Sequence, residues 1–313
     1  MLETCPMAIK MILDTDIGSD VDDAFALALV LASPEIDLIG VSVVHGDLLV
    51  RAKMVIKMLQ AAGRKDVPVI LGESKPLRPG RPVWWAGYED SVWDLSGVDT
   101  SQIIEGATTA YFLEKAAELR SELTIVSIGP TTNIGKFVRD CPEAARSIGM
   151  LSIMGGNYVG VRGRSIMPEH NFKCDPEAAE LTVNSGCPAR MIGINITQQT
   201  ALTRLWIEEL MASETEIGQL LGRAGCHYLG VVGRDQTAMH DSTAVAAVLD
   251  PAIFGWKTLG PRVQTEGNEA GVITFKEKPD TGGKMIDVAV EIHLDAFDKL
   301  FWRRIRSLAY PNQ

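Results

Sequence analysis

Ile12-Leu13-Asp14-Thr15-Asp16-Ile17-Gly18-Ser19-Asp20-Val21-Asp22-Asp23-Ala24-Phe25 places five carboxylates within the ten residues from Asp14 to Asp23. The stretch lies between an apolar run, Ala8 to Leu13, that reads as a buried strand, and a second, Ala24 to Leu31, that reads as a buried helix. In an open α/β sheet, the turn leaving a strand's carboxyl end is where ligands bind. Helix capping accounts for one or two acids at about 1 kcal/mol each or less. Five at one strand end repel and raise one another's pKa unless a cation is held among them, so the stretch reads as a metal site.

Outward from this turn the chain keeps an α/β rhythm. Ser33-Pro34 ends the first helix, and Ile36 to Val44 reads as a second buried strand running into His45-Gly46-Asp47. A helix over 48–62 stops at Gly63, and Val67 to Leu71 is a short third strand. This order predicts parallel pairing with right-handed crossovers. Gly72 to Gly106 breaks the rhythm: it is rich in Pro and Gly, carries Trp84-Trp85, Tyr88 and Trp93, and lacks periodicity. Such a loop is either a lid or a segment pinned by its aromatics.

Regular structure resumes with a helix over 108–120, a strand over 123–128, the turn Gly129-Pro130-Thr131-Thr132-Asn133 into another helix, and a strand over 148–154. Asp175-Pro176-Glu177 reads as an N-cap with Pro at the first helical position. A strand follows over 189–194, with helix over 205–221 and part of 222–247. From Pro261 onward, 262–265, 271–275 and 285–293 read as short strands, closed by a helix over 295–308. The expectation is an open, mostly parallel, Rossmann-like central sheet with helices on both faces and a small antiparallel edge near the C-terminus. No repeat or linker interrupts it, so residues 1–313 read as one domain.

A hydrophobic content of 46% supplies enough material for that core. The net charge is −10, and the 30 Lys and Arg form no basic run, which argues against nucleic acid or an anionic membrane as partner. Five cysteines, an odd number with no C-x-x-C pair, fit reduced thiols in the cytoplasm. Met-Leu-Glu-Thr-Cys-Pro-Met has no signal-peptide pattern, and no apolar run is long enough to span a membrane.

If the sheet is parallel, one rim collects the polar groups of several strand ends: Asp14 to Asp23, His45-Gly46-Asp47, Ile128-Gly129-Pro130, and Met154 onward to Glu169-His170-Asn171. Met239-His240-Asp241-Ser242, opening an apolar helical run, adds a fifth cluster. Carboxylates without a Cys-His grouping select a hard cation, Ca²⁺ or Mg²⁺, over zinc.

These blocks match a known family. Asp14-Thr15-Asp16, Gly18 and Asp22-Asp23-Ala24 resemble the amino-terminal signature of the inosine-uridine preferring nucleoside hydrolases. Val43-Val44-His45-Gly46-Asp47, Gly129-Pro130-Thr131-Thr132-Asn133-Ile134, Met154-Gly155-Gly156, the block from Glu169 through Asn171 to Asp175-Pro176-Glu177-Ala178-Ala179, and His240-Asp241 with Ala244-Val245-Ala246 follow in the family's order. The resemblance implies a nucleoside hydrolase-like fold, dimers or tetramers, and Ca²⁺-dependent hydrolysis of the N-glycosidic bond of purine or pyrimidine ribonucleosides. It makes Asp16 both a Ca²⁺ ligand and the base that activates water, with Asp23, Asp241 and the backbone carbonyl of Ile128 as further ligands. Asp22, Glu169 and Asn171 hold the ribose hydroxyls, and Met154 lies beneath the sugar. Asp47 stands where the family often has Asn at a ribose-contacting turn. The acidic loop is two residues longer than the family's shortest form, which leaves Asp20 as an alternative to Asp22. The arrangement Asp-Asp-Ala at the helix start favours Asp22.

The chemistry agrees with these roles. Cleavage builds oxocarbenium character on the ribose, which carboxylates stabilise. His240 is the candidate acid for the leaving base, since imidazole titrates near neutrality. Trp84 or Trp85 is a candidate to stack on a purine. Arg162 and Arg164 occupy the stretch where better-known members place an Asn against the 5′ hydroxyl, either as solvated charges or as partners of an anionic group. His170 reads as a spacer between ligands, His227 and His293 as structural, Met54, Met58 and Met211 as core, and Asn133 as a helix cap. Two competing functions are a Mg²⁺-dependent phosphohydrolase of the haloacid dehalogenase type, which Gly18 fails to match, and a non-catalytic nucleoside-binding relative.

Overall fold

The continuous apolar run ahead of Asp14 forms β1 (Ile9–Thr15), buried from Met11 onward. Met11 and Leu13 enter one hydrophobic cluster and Ile12 the other, as alternation in a strand buried on both faces requires. The computed structural model describes residues 8–104, 106, 108–158, 166–278 and 283–311. After β1 come α1 (Asp22–Leu31), β2 (Ile36–Val43), α2 (Leu48–Ala61), β3 (Val69–Leu71) and β4 (Ile103–Ile104). Then follow α3 (Thr108–Leu119), β5 (Leu123–Ser127), α4 (Thr132–Asp140), α5 (Pro142–Ser147), β6 (Met150–Met154), α6 (His170–Cys174), α7 (Pro176–Val183) and β7 (Ala189–Ile192). The last third holds α8 (Ile194–Thr197), β8 (Leu202–Thr203), α9 (Arg204–Met211), α10 (Glu216–Val232), β9 (Gln236–Thr237) and α11 (His240–Leu249). It closes with β10 (Phe254–Val263), β11 (Ile273–Lys276), β12 (Ile286–Ile292) and α12 (Leu294–Ala309).

Ten strands form one sheet in the order β11-β10-β12-β7-β6-β5-β1-β2-β3-β4. Every neighbouring pair from β12 to β4 is parallel, and β10 is antiparallel to both of its neighbours. The mostly parallel sheet with a small antiparallel edge is as expected. That edge begins earlier than expected, because Phe254 to Leu259 already pairs with β12. A separate two-stranded antiparallel pair, β8 with β9, has no counterpart in the sequence reading.

The chain lays β2, β3 and β4 on one side of β1, then returns to place β5, β6 and β7 on the other. The carboxyl end of β1 is therefore the switch point of the sheet, where α/β folds form their ligand crevice. α1 runs back from there, buried from Asp22 to Val30, and packs against α10, α11 and α12. Because α1 and α11 lie side by side, Asp22-Asp23 and His240-Asp241 begin neighbouring helices.

The helix expected over 205–221 is instead two. Ser213 and Thr215 break it, and the Thr215 side chain caps α10 by accepting from Gly218 N. Asp175 caps α7 as expected, with Pro176 at its first position. Among the described residues no helix is long and apolar enough to cross a membrane. Arg162 and Arg164 lie outside the described residues.

Candidate active site

The acids of the opening stretch do not cap α1, whose N-cap is Val21 with no side-chain hydrogen bond. Asp14 turns inward instead. Its Oδ1 accepts from Asn133 Nδ2 at 2.7 Å and from Ser42 Oγ, and burial lifts its pKa to about 7. Asn133 is thus a brace and not the helix cap its sequence position suggested: it also donates to Val43 O and accepts from Glu73 N at 2.8 Å. Removing it leaves buried groups unpaired, which costs about 1–3 kcal/mol each. Asn133→Ala is therefore expected to lower stability by about 2–4 kcal/mol. A fall in the urea midpoint at unchanged slope checks it.

Asp16, Ser19, Asp20, Asp22, Asp23, Trp84, Ile128, Met154, Glu169, His170, Asn171, Ile194, His240 and Asp241 line one cavity of about 140 Å³. Among the described residues no lysine or arginine lines it. Asp20, Asp22, Asp23 and Asp241 bring carboxylate oxygens within 4.8 Å of one another. Asp241 N also donates to Asp22 Oδ2 at 3.3 Å. Asp16 lines the same cavity without belonging to that group of four, and lies close to Gly129, where a Cβ would come within 2.7 Å of Asp16 Oδ1. Asp23 is fixed by the Thr15 hydroxyl, whose oxygen in turn accepts from Ile17 N. Burial first, and neighbouring carboxylates next, push Asp20, Asp23 and Asp241 well above the usual carboxylate range. Asp22 rises to about 6, chiefly through burial. A donor set made only of crowded oxygens, and so averse to sharing negative charge, fits a hard divalent cation.

Around this floor stand groups suited to a sugar. Glu169 caps α6: its two oxygens accept from Gly156, Asn171 and Phe172 N–H groups at 2.9, 2.8 and 3.2 Å. Asn171 Nδ2 donates to Ile128 O at 2.8 Å, so its Oδ1 is left for a ligand. His240 Nδ1 lies 2.6 Å from Thr197 Oγ1, and burial lowers its pKa despite Asp20 and Glu169 nearby. Glu169, Ile194 and His240 also line an adjoining cavity of about 680 Å³, with Tyr228, Gln198 and Arg234.

All of the site residues expected from sequence line the first cavity except Asp47. Its carboxylate faces away as the N-cap of α2, accepting from Leu49 N and Val50 N at 3.0 and 3.1 Å, and this corrects the ribose contact drawn for it. His170 is more than a spacer, since it lines the cavity edge-on to Trp84 at 4.9 Å between ring centres. The tryptophan pair divides. Trp84 is 45% exposed at the cavity. Trp85 lies on Gly46, where a Cβ would meet its ring at 2.4 Å. The aromatic segment is pinned to the body: Trp84 N donates to His45 Nε2, Tyr88 OH to Ser19 O, and Trp93 Nε1 to Leu220 O. Ser19, Ile194 and Thr197 carried no signal in the sequence, being small or apolar residues in unremarkable settings.

The sequence profile of the inosine-uridine preferring nucleoside hydrolases matches residues 11–299. Probable uridine nucleosidase 2 of Arabidopsis thaliana is 28% identical over 95% of this chain and 97% of its own length. Among solved structures, a plant nucleoside hydrolase superposes with a TM-score of 0.85 at 28% identity, covering 96% of this chain and 99% of that one. A purine-preferring ribonucleoside hydrolase from Gardnerella vaginalis gives 0.84 at 25% identity, covering 96% and 99%. A profile match through nearly the whole chain, on a fold whose switch point gathers the family's acidic blocks, has one reading: the chain belongs to the inosine-uridine preferring nucleoside hydrolases and is a ribonucleoside N-ribohydrolase.

Proposed function

We propose that the chain, working as one domain over residues 1–313, cleaves purine and pyrimidine ribonucleosides to free base and ribose with Ca²⁺ as cofactor. The observation that carries the reading is the cavity in which aspartates from both ends of the chain meet Glu169 and Asn171, with no cationic side chain lining it among the described residues. Asp16, Asp23, Asp241 and the Ile128 carbonyl would hold the ion, and Asp20 is near enough to join them. When bound, Ca²⁺ supplies charge that acidifies a neighbouring water and grips vicinal hydroxyls.

The chain's own residues do the rest. Asp16 takes the proton of the attacking water. Asp22, Glu169 and the free oxygen of Asn171 accept from ribose hydroxyls and fix the sugar, while Met154 packs beneath it. The carboxylates oppose the positive charge that grows on the ribose as the bond to the base breaks. His240, held at Nδ1 by Thr197, offers Nε2 to the departing base. Trp84 and His170 wall the base side, and the larger adjoining cavity supports room for purines as well as pyrimidines. A homodimer or homotetramer in the cytoplasm completes the reading. The family resemblance supports the assembly, and the four described cysteines, all free, support the location.

Incubation with inosine, uridine, cytidine and adenosine in the presence of calcium, followed by assay of free ribose, tests the proposal. Release from at least one nucleoside is expected, and none from any of them would end it. His240→Ala is expected to lower kcat by about 10²-fold or more for the bases that depend on protonation. Purines and pyrimidines should differ in that loss, and equal small losses would remove the role from His240.

A further inference from the structure

Arg51 is fully buried, one turn into α2, on the same face as Val55 and Met58. Among the described residues no carboxylate forms an ion pair with it. A buried guanidinium with no such partner is costly to keep unless its donors are otherwise satisfied. Here they are, and by one particular set of acceptors. Nε donates to His45 O at 2.6 Å, Nη1 to Asp16 O and to Ile17 O (2.8 Å for the latter), and Nη2 to Ser19 Oγ at 3.0 Å. The face of the guanidinium lies 4.9 Å from the centre of the Trp85 ring.

Three of those acceptors belong to the acidic turn. The fourth, His45, has φ of 66°, a left-handed conformation uncommon outside glycine, and its carbonyl is the one that meets Nε. Ser19 is shared further: its hydroxyl donates to the fully buried Glu89, and its carbonyl accepts from Tyr88. Glu89 in turn takes the N–H groups of Ala86, Gly87 and Tyr88. One planar fork thus ties the turn that carries Asp16, Asp20, Asp22 and Asp23 to the segment that carries Trp84.

We propose that Arg51 is a positioning residue: it fixes the backbone of Asp16, Ile17 and Ser19 and so sets the spacing of the carboxylates before a cation arrives. Without it, like charges spread apart, and an incoming ion must gather them at the expense of its affinity. Lysine cannot replace it, because an ammonium on a flexible stem does not reach the acceptors on both sides of the turn together. The proposal rests on the calcium reading above.

The test uses the full chain carrying Arg51→Lys or Arg51→Met. Calcium affinity is measured by competition with a chromophoric chelator, and Tm is taken both in chelator and at saturating calcium. Both variants are expected to bind calcium roughly 10- to 100-fold more weakly than the parent, the range seen when an outer partner of a metal ligand is lost. A residue that merely supports the fold would lower Tm equally with and without calcium and leave the affinity unchanged, and that result overturns the proposal. Should neither variant fold, Ser19→Ala removes one acceptor of the fork. It is expected to weaken calcium binding about threefold, and an unchanged affinity there also overturns the proposal. A parent protein that releases ribose without binding calcium would sink the calcium reading first, an outcome separable from both.

Discussion

Asp16→Asn is expected to reduce kcat/KM by about 10³-fold or more while leaving the chelated protein at least as stable as the parent. The first half follows from the two roles proposed for the side chain. General-base catalysis contributes about 10²–10⁴-fold, and the same substitution takes a charge from the cation's ligand set. The second half follows from crowding. Asp16 adds to the charge that raises Asp23 and Asp241, so an amide there relieves repulsion among buried groups. An active site kept in this state is stability held in reserve for function. Ribose release and a thermal melt in chelator read the two halves separately. Activity within tenfold of the parent would strip Asp16 of the base's role. A collapsed melt would mean that its carboxylate supports the fold.

Removal of calcium is expected to have the next largest effect: no ribose release in chelator, full recovery on adding calcium back, and a rise in Tm on binding. An ion present at about 100 times its Kd adds about 2.7 kcal/mol to the folded state. The sign of the pH dependence follows from the raised carboxyls. Asp14 at about 7, Asp22 at about 6 and their likewise raised neighbours Asp20, Asp23 and Asp241 bind protons more tightly in the folded chain than in the unfolded one. The stabilisation this gives is complete below the unfolded pKa of about 4 and is lost as pH rises through the folded values. The chelated protein should therefore melt at lower temperature at about pH 8 than at about pH 5. Calcium held as proposed by Asp23 and Asp241, whose carboxyls are also raised, would compete with their protons, so the Tm rise it produces should widen with rising pH. A calcium-induced shift that shrinks with rising pH would contradict this.

Much of the framework was legible because apolar runs and chain punctuation agree. The runs on either side of Asp14 to Asp23 differ in length and end at Ser33-Pro34, which separates a strand from a helix and places the acids between them. Asp241 was legible for a similar reason, since His-Asp opens a helix of small apolar residues. What could not be read depends on long-range packing. β10 begins at Phe254, yet Lys257 and Thr258 face solvent beside β12, so the segment lacks the buried run that betrays a central strand. The break between α9 and α10 fell within continuous helical periodicity, and only the Ser213 and Thr215 hydroxyls mark it. The ribose contact of Asp47 is implied by the family resemblance alone, whereas a carboxylate directly before a helix answers first to that helix's own N–H groups. Arg51 did carry a signal, as a lone charge at the spacing of Val55 and Met58 on an apolar stripe. Three of its four hydrogen-bond partners are backbone carbonyls, which leave no mark in a sequence.

The contact between Asp241 and Asp22 joins residues 219 apart in the chain. During synthesis on the ribosome, the first acidic turn can emerge and its strand can pair long before the other half of the pocket exists. A nascent or truncated product ending ahead of α11 therefore carries most of the sheet but no finished pocket, and cannot hydrolyse anything while still incomplete. Turnover in such a protein reports that the last third has docked, which makes enzymatic activity a late and stringent marker of maturation.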